Sequence, residues 1–269
     1  MENIVQVHPL TNNPTLLWNH IRRLQFFTDI YVPQHLWHVL QAPPSKNVLR
    51  FVCMSDTHSK HLQCNVPEGD VFIHAGDFTM EGERHEVFAF NDWLGTLKHK
   101  YKIVIAGNHE QSFDGRFSTG EVNNARQDLT NCSYLEDSGV TICGVKIFGS
   151  PWQPNHIGRR GFKLMRGKQC LDKWNLIPAD TDVLITHGPP LGHGDLTNFG
   201  QRAGCVELLR TVQVRVRPKS HIFGHIHEGY GASFDGQTLF VNASICDGSY
   251  RPSNPAFVFD VPISPGFKK

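Results

Sequence analysis

The sequence predicts an α/β chain built as a four-layer αββα sandwich, two mixed β-sheets packed face to face with helices outside. Three observations predict it. Short apolar runs, too brief for helices, repeatedly end in a ligand-type polar residue: residues 50–56 end in Asp56, 71–77 in Asp77, 102–108 in Asn108, 182–187 in His187 and 220–225 in His225. In the first half these runs alternate with helical patterning, which favours parallel neighbours. From Ser133 onward, short strands separated by turn signals replace that alternation.

Taken in order, residues 1–47 read as an N-terminal extension packed on the body, and residues 48–269 as the main domain. Pro9, Pro14, Pro33, Pro43 and Pro44 interrupt the extension, leaving one short helix over 16–27. Its histidines, His20, His35 and His38, have no carboxylate at ligand spacing and read as packing residues. The body opens with a strand over 49–55 and a second over 71–75. A helix over 83–97 follows, with Val87, Phe90 and Leu94 at core spacing, and then a strand over 103–106. Strands over 134–135, 140–143 and 146–149 come next, with Asp137-Ser138-Gly139 and Gly144 as tight hairpin turns. Helices over 168–174 and 205–214 lead into strands over 183–186 and 220–225. Strands over 239–243 and 256–261 close the pattern.

A chain of 269 residues with 39% hydrophobic content is long enough for one or two domains and can bury a substantial core. Net charge is +1, with 26 Lys plus Arg against 25 Asp plus Glu, so no nucleic-acid polymer or acidic membrane is expected as partner. The seven cysteines show no zinc-knuckle or disulfide-scaffold spacing. No run approaches the roughly 20 apolar residues of a membrane helix, and Met1-Glu2-Asn3 does not open a secretory signal. A cytoplasmic location is the expectation.

The 16 histidines, against 5 tyrosines, direct attention to metal chemistry, since imidazole is the commonest metal ligand. The candidate ligands are Asp56, His58, Asp77, Asn108, His187, His225 and His227. Manganese, iron(II) and zinc accept imidazole, carboxylate and amide oxygen together. In Asp56-x-His58 and His225-x-His227, alternate residues of an extended segment point the same way, so each pair can address one centre. Asp77 is the candidate bridge between two cations, as in two-metal hydrolytic sites, where a shared water is activated for in-line attack on phosphorus. His109, beside a ligand, is the candidate general acid.

These blocks, with Gly76-Asp77, Gly107-Asn108-His109-Glu110 and Gly224-His225-x-His227, resemble the calcineurin-like metallophosphoesterases over about residues 48–261, in family order. Longer strings resemble the metallophosphoesterase-domain-containing subfamily known from brain: Phe-Asn-Asp-Trp-Leu at 90–94, Lys-Ile-Val-Ile-Ala-Gly-Asn-His-Glu at 102–110, Leu-Asp-Lys-Trp-Asn-Leu-Ile-Pro at 171–178 and Thr-His-Gly-Pro-Pro-Leu-Gly at 186–192. The resemblance implies a two-sheet sandwich and a dinuclear site, with manganese favoured for activity. It also implies phosphodiesterase action on small molecules such as 3′,5′-cyclic nucleotides. A monomer or homodimer is the expected assembly. Asp56, His58, Asp77 and His227 would hold one metal, and Asp77, Asn108, His187 and His225 the other. Some relatives carry Gly where His225 stands and are weak enzymes, so a complete second site is expected here. The span between residues 113 and 129 is shorter than in those relatives.

Asn108, His109 and His227 are the expected substrate contacts, with Arg159 and Arg160 as a phosphate fork and Tyr230 or Phe199 as a stacking surface. Glu110 is expected to orient its neighbours. His74 and His221 read as core histidines, and His61 and His193 sit near the candidate ligands as minor candidates for touching substrate. A phosphomonoesterase or protein phosphatase would share the same metal core. A nucleotide-binding regulatory protein with little turnover is the reading from another class, and intact His109 and His225 weigh against it.

Overall fold

The computed structural model describes residues 4–26, 28–30, 45–117, 122–155 and 160–269. In chain order the helices are α1 (Pro14–Ile21), α2 (Arg84–Thr96), α3 (Val122–Gln127), α4 (Lys168–Trp174) and α5 (Val206–Arg210). The strands are β1 (Thr28–Ile30), β2 (Val48–Met54), β3 (Val71–Ala75), β4 (Tyr101–Ile105), β5 (Ser133–Tyr134), β6 (Ser138–Ile142), β7 (Val145–Ser150), β8 (Gln153–Pro154), β9 (Lys163–Leu164), β10 (Val183–Thr186), β11 (Ser220–Phe223), β12 (Gly231–Phe234), β13 (Leu239–Asn242) and β14 (Phe257–Pro262).

Two large mixed sheets form. One has the order β14-β2-β3-β4-β5, parallel except for β14; the other runs β1-β12-β13-β11-β10-β7-β6, with β7, β10, β11 and β13 parallel. The alternation along β2 shows why they stack. Leu49, Phe51 and Cys53 face the other sheet and meet a layer that includes Ile147, Val183, Ile185, Ile222 and Val241. Val52 and Met54 face outward into a layer that includes Val87, Phe90 and Leu94 of α2. Both faces of a central parallel strand are thereby covered, which is why these strands read as unbroken apolar runs. The expected four-layer sandwich is the observed one. Among the described residues, no helix is long and apolar enough to cross a membrane.

Several local expectations need correction. The N-terminal helix, expected over 16–27, begins at Pro14 and ends at Ile21, followed by a 3-10 turn. Pro14 starts it, its missing N–H costing nothing in the first turn, and the Asn13 side chain accepts from the Leu16 N–H at 3.1 Å. Trp18 and Leu17 then bury themselves against Leu191, Val206 and Leu209. Asp137-Ser138-Gly139 is not a hairpin. It carries the chain from β5 in one sheet to β6 in the other, and the Asp137 carboxylate accepts from Ser150 Oγ, Trp152 Nε1 and Lys173 Nζ at 2.6–2.9 Å. The true hairpin is the two-residue turn at Cys143-Gly144, both with positive φ, which suits the strand twist. The helix expected over 205–214 is α-helical only to Arg210 and continues as a π-type turn to Val216. β1, β8, β9, β12 and α3 lack the apolar runs that announce the other elements.

The carboxyl ends of β2, β3 and β4 in one sheet, and of β10 and β11 in the other, point to one end of the sandwich. There the sheets are also stitched together: Ser55 N–H donates to the Ala243 carbonyl at 2.9 Å and Ile245 N–H to the Ser55 carbonyl at 2.8 Å. Ligands gather beyond strand ends in such folds because the loops converge there.

Candidate metal centre

The chain turns sharply after β2, β3 and β11 to present its side chains. Asp56, His58, Asp77 and His225 all have left-handed backbones, with φ of 54°, 43°, 54° and 71°. Left-handed φ in non-glycine residues costs free energy and clusters at functional sites. Two glycines make room. A Cβ on Gly224 would lie 2.0 Å from Asp56 Oδ2, and one on Gly107 would lie 2.3 Å from Asp77 Oδ1.

Three overlapping groups result, each with ligand atoms within 4.8 Å of one another: Asp56, His58 and His227; His58, Asp77 and His109; and Asp77, His187 and His225. Asp77 joins the last two. Its Oδ1 accepts the His109 backbone N–H at 2.8 Å, while Oδ2 faces His187 Nε2 at 3.3 Å and His109 Nε2 at 3.9 Å. Asn108 Oδ1 stands 3.1 Å from His187 Nε2. Asp56 accepts from Ser244 Oγ at 2.7 Å and from the His225 backbone N–H, and lies 3.6 Å from His227 Nε2.

Backbone carbonyls set the imidazole tautomers. His58 Nδ1 meets the Thr79 carbonyl at 3.3 Å, His187 Nδ1 that of Ala75 at 2.9 Å, His227 Nδ1 that of Asp247 at 2.9 Å and His109 Nδ1 that of Met80 at 2.5 Å. A carbonyl only accepts, so each Nδ1 carries hydrogen and each neutral ring turns the lone pair of Nε2 inward. His58 Nε2 and His227 Nε2 face each other at 3.1 Å. Two lone pairs at that distance require a proton or a cation between them.

The electrostatics agree. Burial disfavours the charged forms of Asp56 and Asp77, yet His227 beside the first and His187 beside the second hold both carboxyls below their ordinary range. Burial likewise works against the imidazoliums of His187 and His227, but Asp77 and Asp56 outweigh it and raise both to about 9. Burial dominates at His58, lowered to about 4, which keeps its ring neutral. Ionised, buried carboxylates among imidazoles whose Nε2 atoms face inward, and give up any proton there to a metal, fit a pair of divalent cations, with Asn108 as the neutral amide oxygen.

The seven expected ligands therefore converge. Glu110 lies beneath them, accepting from the backbone N–H groups of Asp77, Thr79 and Gly107 and from Thr79 Oγ1 at 2.6–2.9 Å. Burial, then Asp77, raises its carboxyl to about 7. His74 Nε2 meets Thr57 Oγ1, and His221 Nε2 meets Thr186 Oγ1, both as buried supports. His61 packs among Phe90 and Trp93, and His193 stacks on Phe240.

The expected substrate contacts are less uniform. Arg160 reaches the Met80 carbonyl at 3.4 Å, the group that also holds His109, and pairs with Glu81 at 3.1 Å. Arg159 lies outside the described residues. Tyr230 packs on Phe257 and donates to the Pro255 carbonyl, and Phe199 is 91% exposed. Among the described residues, the aromatic ring that reaches the centre is Tyr250, whose centroid lies 4.7 Å from that of His58 and 5.2 Å from that of His227. Ser244 is a further residue that sequence reasoning misses, although it follows the carboxyl end of β13 and so obeys the strand-end pattern that locates the others.

The sequence profile of the Calcineurin-like phosphoesterase family matches residues 49–229. Metallophosphoesterase domain-containing protein 1 of Homo sapiens is 48% identical over 96% of this chain and 85% of its own length. UPF0046 protein C25E10.12 of Caenorhabditis elegans is 42% identical over 100% of this chain and 99% of its own. At the level of fold, the crystal structure of TT1561 of Thermus thermophilus aligns with a TM-score of 0.51 at 11% identity, covering 80% of this chain and 99% of that one. With the donor groups assembled as that family's chemistry requires, the chain belongs to the calcineurin-like phosphoesterases, metal-dependent hydrolases of phosphoesters.

Proposed function

We propose that the protein is a dinuclear phosphodiesterase acting on small phosphodiesters, with 3′,5′-cyclic nucleotides as the candidate class. The observation that carries this reading is Asp77 Oδ2, shared between donor groups on either side and 3.9 Å from His109 Nε2. Asp56, His58, Asp77 and His227 would hold one divalent ion, and Asp77, Asn108, His187 and His225 the other. Manganese, iron(II) or zinc in those positions supplies Lewis acidity at the phosphoryl group and activates water. Asp56 and Asp77, kept ionised, set the charge of the centre, and Glu110 anchors the loops after β3 and β4 that deliver Asp77 and Asn108. His109, its Nδ1 hydrogen tied to the Met80 carbonyl, is oriented so that its imidazolium form passes the Nε2 proton to the departing ester oxygen and is left as the neutral ring.

Charge matching favours a diester. A monoester dianion brings an additional negative charge, and Arg160, the guanidinium bordering the centre among the described residues, is already paired with Glu81. Purified protein loaded with manganese should hydrolyse bis(p-nitrophenyl) phosphate and 3′,5′-cyclic AMP with a kcat/KM at least about tenfold above that for p-nitrophenyl phosphate, a difference of about 1.4 kcal/mol in transition-state stabilisation. Preference for the monoester would overturn the diester reading. Tight binding of a 5′-nucleotide without hydrolysis of any ester would make the protein a nucleotide-binding regulator instead.

A further inference from the structure

Tyr250 lies at the centre without belonging to its metal-binding set. Its ring stands edge-on to His58 and His227, and 6.3 Å between centroids from His109. It is 38% exposed, so one side faces the centre and the other faces solvent. Among the described residues its hydroxyl makes no hydrogen bond.

The backbone beneath it is strained and firmly held. Tyr250 has φ of 58°, a left-handed conformation that a bulky side chain rarely adopts. The loop from Cys246 to Pro252 closes on itself and over-determines that conformation. Tyr250 N–H donates to the Asp247 carbonyl at 2.8 Å, and the Asp247 carboxylate accepts from the Ser249 and Arg251 backbone N–H groups and from Arg251 Nε. Lys60 Nζ donates to the Tyr250 carbonyl. The Asp247 carbonyl also takes His227 Nδ1, so a single loop sets a ligand tautomer and aims an aromatic ring at the same centre. A strained, over-held residue of this kind points to function.

We propose that Tyr250 is a substrate-contacting residue whose phenol hydroxyl donates a hydrogen bond to a non-bridging phosphoryl oxygen. It forms the wall of the centre beside His58 and His227. This rests on the phosphoester reading above. A tyrosine hydroxyl stays protonated at neutral pH and serves as a donor, and a bond from it to an anionic oxygen is of the stronger, charge-assisted kind.

Tyr250→Phe keeps the ring and removes only the donor. Metal-loaded Tyr250→Phe should bind inorganic phosphate about tenfold more weakly by calorimetry, with metal content and thermal midpoint unchanged. On a diester substrate its kcat/KM should fall by at least about tenfold. Phosphate affinity equal to wild type would overturn the proposal, and so would an affinity loss accompanied by loss of metal, which would make Tyr250 a support for His227. Because phosphate binding is read without turnover, absence of esterase activity in the wild type would defeat the phosphodiesterase reading while leaving this test decisive.

Discussion

His58 Nε2 and His227 Nε2 face each other at 3.1 Å across the centre, while the opposite nitrogen of each ring is held by a backbone carbonyl. Neither ring can turn its Nδ1 hydrogen inward without breaking a carbonyl contact, so the gap holds either a second proton on His227, which Asp56 favours, or a cation, whose donors only the folded chain assembles. Chelation should therefore destabilise the protein. With free metal at about 100 times Kd, each site adds about 2.7 kcal/mol, and for a chain of this size each kcal/mol moves the thermal midpoint by about 2–4 °C. A melting curve unchanged by chelator and by added manganese would contradict the site.

Asp77→Asn removes the charge shared by the two donor groups. The variant should lose occupancy at both positions together, seen as metal content per chain after desalting. Retention of two firmly held ions would show that Asp77 does not join them.

His109→Ala preserves the backbone N–H that Asp77 Oδ1 accepts, so metal content should hold. Hydrolysis of alkyl esters, whose leaving group needs a proton, should fall by roughly 100-fold, and that of activated aryl esters by much less. Equal losses on both would remove His109 from the acid role.

His193 offers a test in pH, away from the candidate metal ligands. Its ring is buried and stacked on Phe240 at 3.7 Å, with Nδ1 at 2.8 Å from Ser233 Oγ. Burial, which outweighs Asp235 and is joined by Arg202, lowers it to about 4. The unfolded chain takes up this proton near pH 6.5, and the folded chain does not until about pH 4. Stability is thus full above pH 6.5 and falls as the pH drops towards 4, by about 2 kcal/mol from this group between pH 7 and pH 5. Urea unfolding of His193→Phe at those two pH values should show a correspondingly smaller loss than wild type. An identical loss would mean that the buried ring does not resist protonation.

The parts of the fold legible in the sequence are those where burial and secondary structure coincide. β3, β10 and α4 occupy the residues their apolar patterning indicates, because the strands are covered on both faces. β1 and β12, at the edge of the larger sheet, are defined by their pairing and leave no apolar run. All seven candidate ligands are legible because strand ends, or the residues just past them, carry them. Tyr250 is not, since its approach depends on how Asp247 closes a loop well beyond the last histidine motif. The Asp247-Gly248-Ser249 turn signal predicts a bend without saying what the bend presents. Tyr230, three residues past His227, is the stacking surface the sequence suggests, and the structure instead packs its ring on Phe257.

The stitch between Ser55 and Ala243–Ile245 lies beside Asp56, where the two sheets meet. Asp56, Asp77 and Asn108 belong to one sheet and His187 and His225 to the other, so ions held by them would act as a clasp across the seam between halves of the sandwich that lie far apart in the chain. Amides at Ser55 and Ile245 should then exchange with solvent faster once the clasp is opened, while those in the middle of β3 keep their protection.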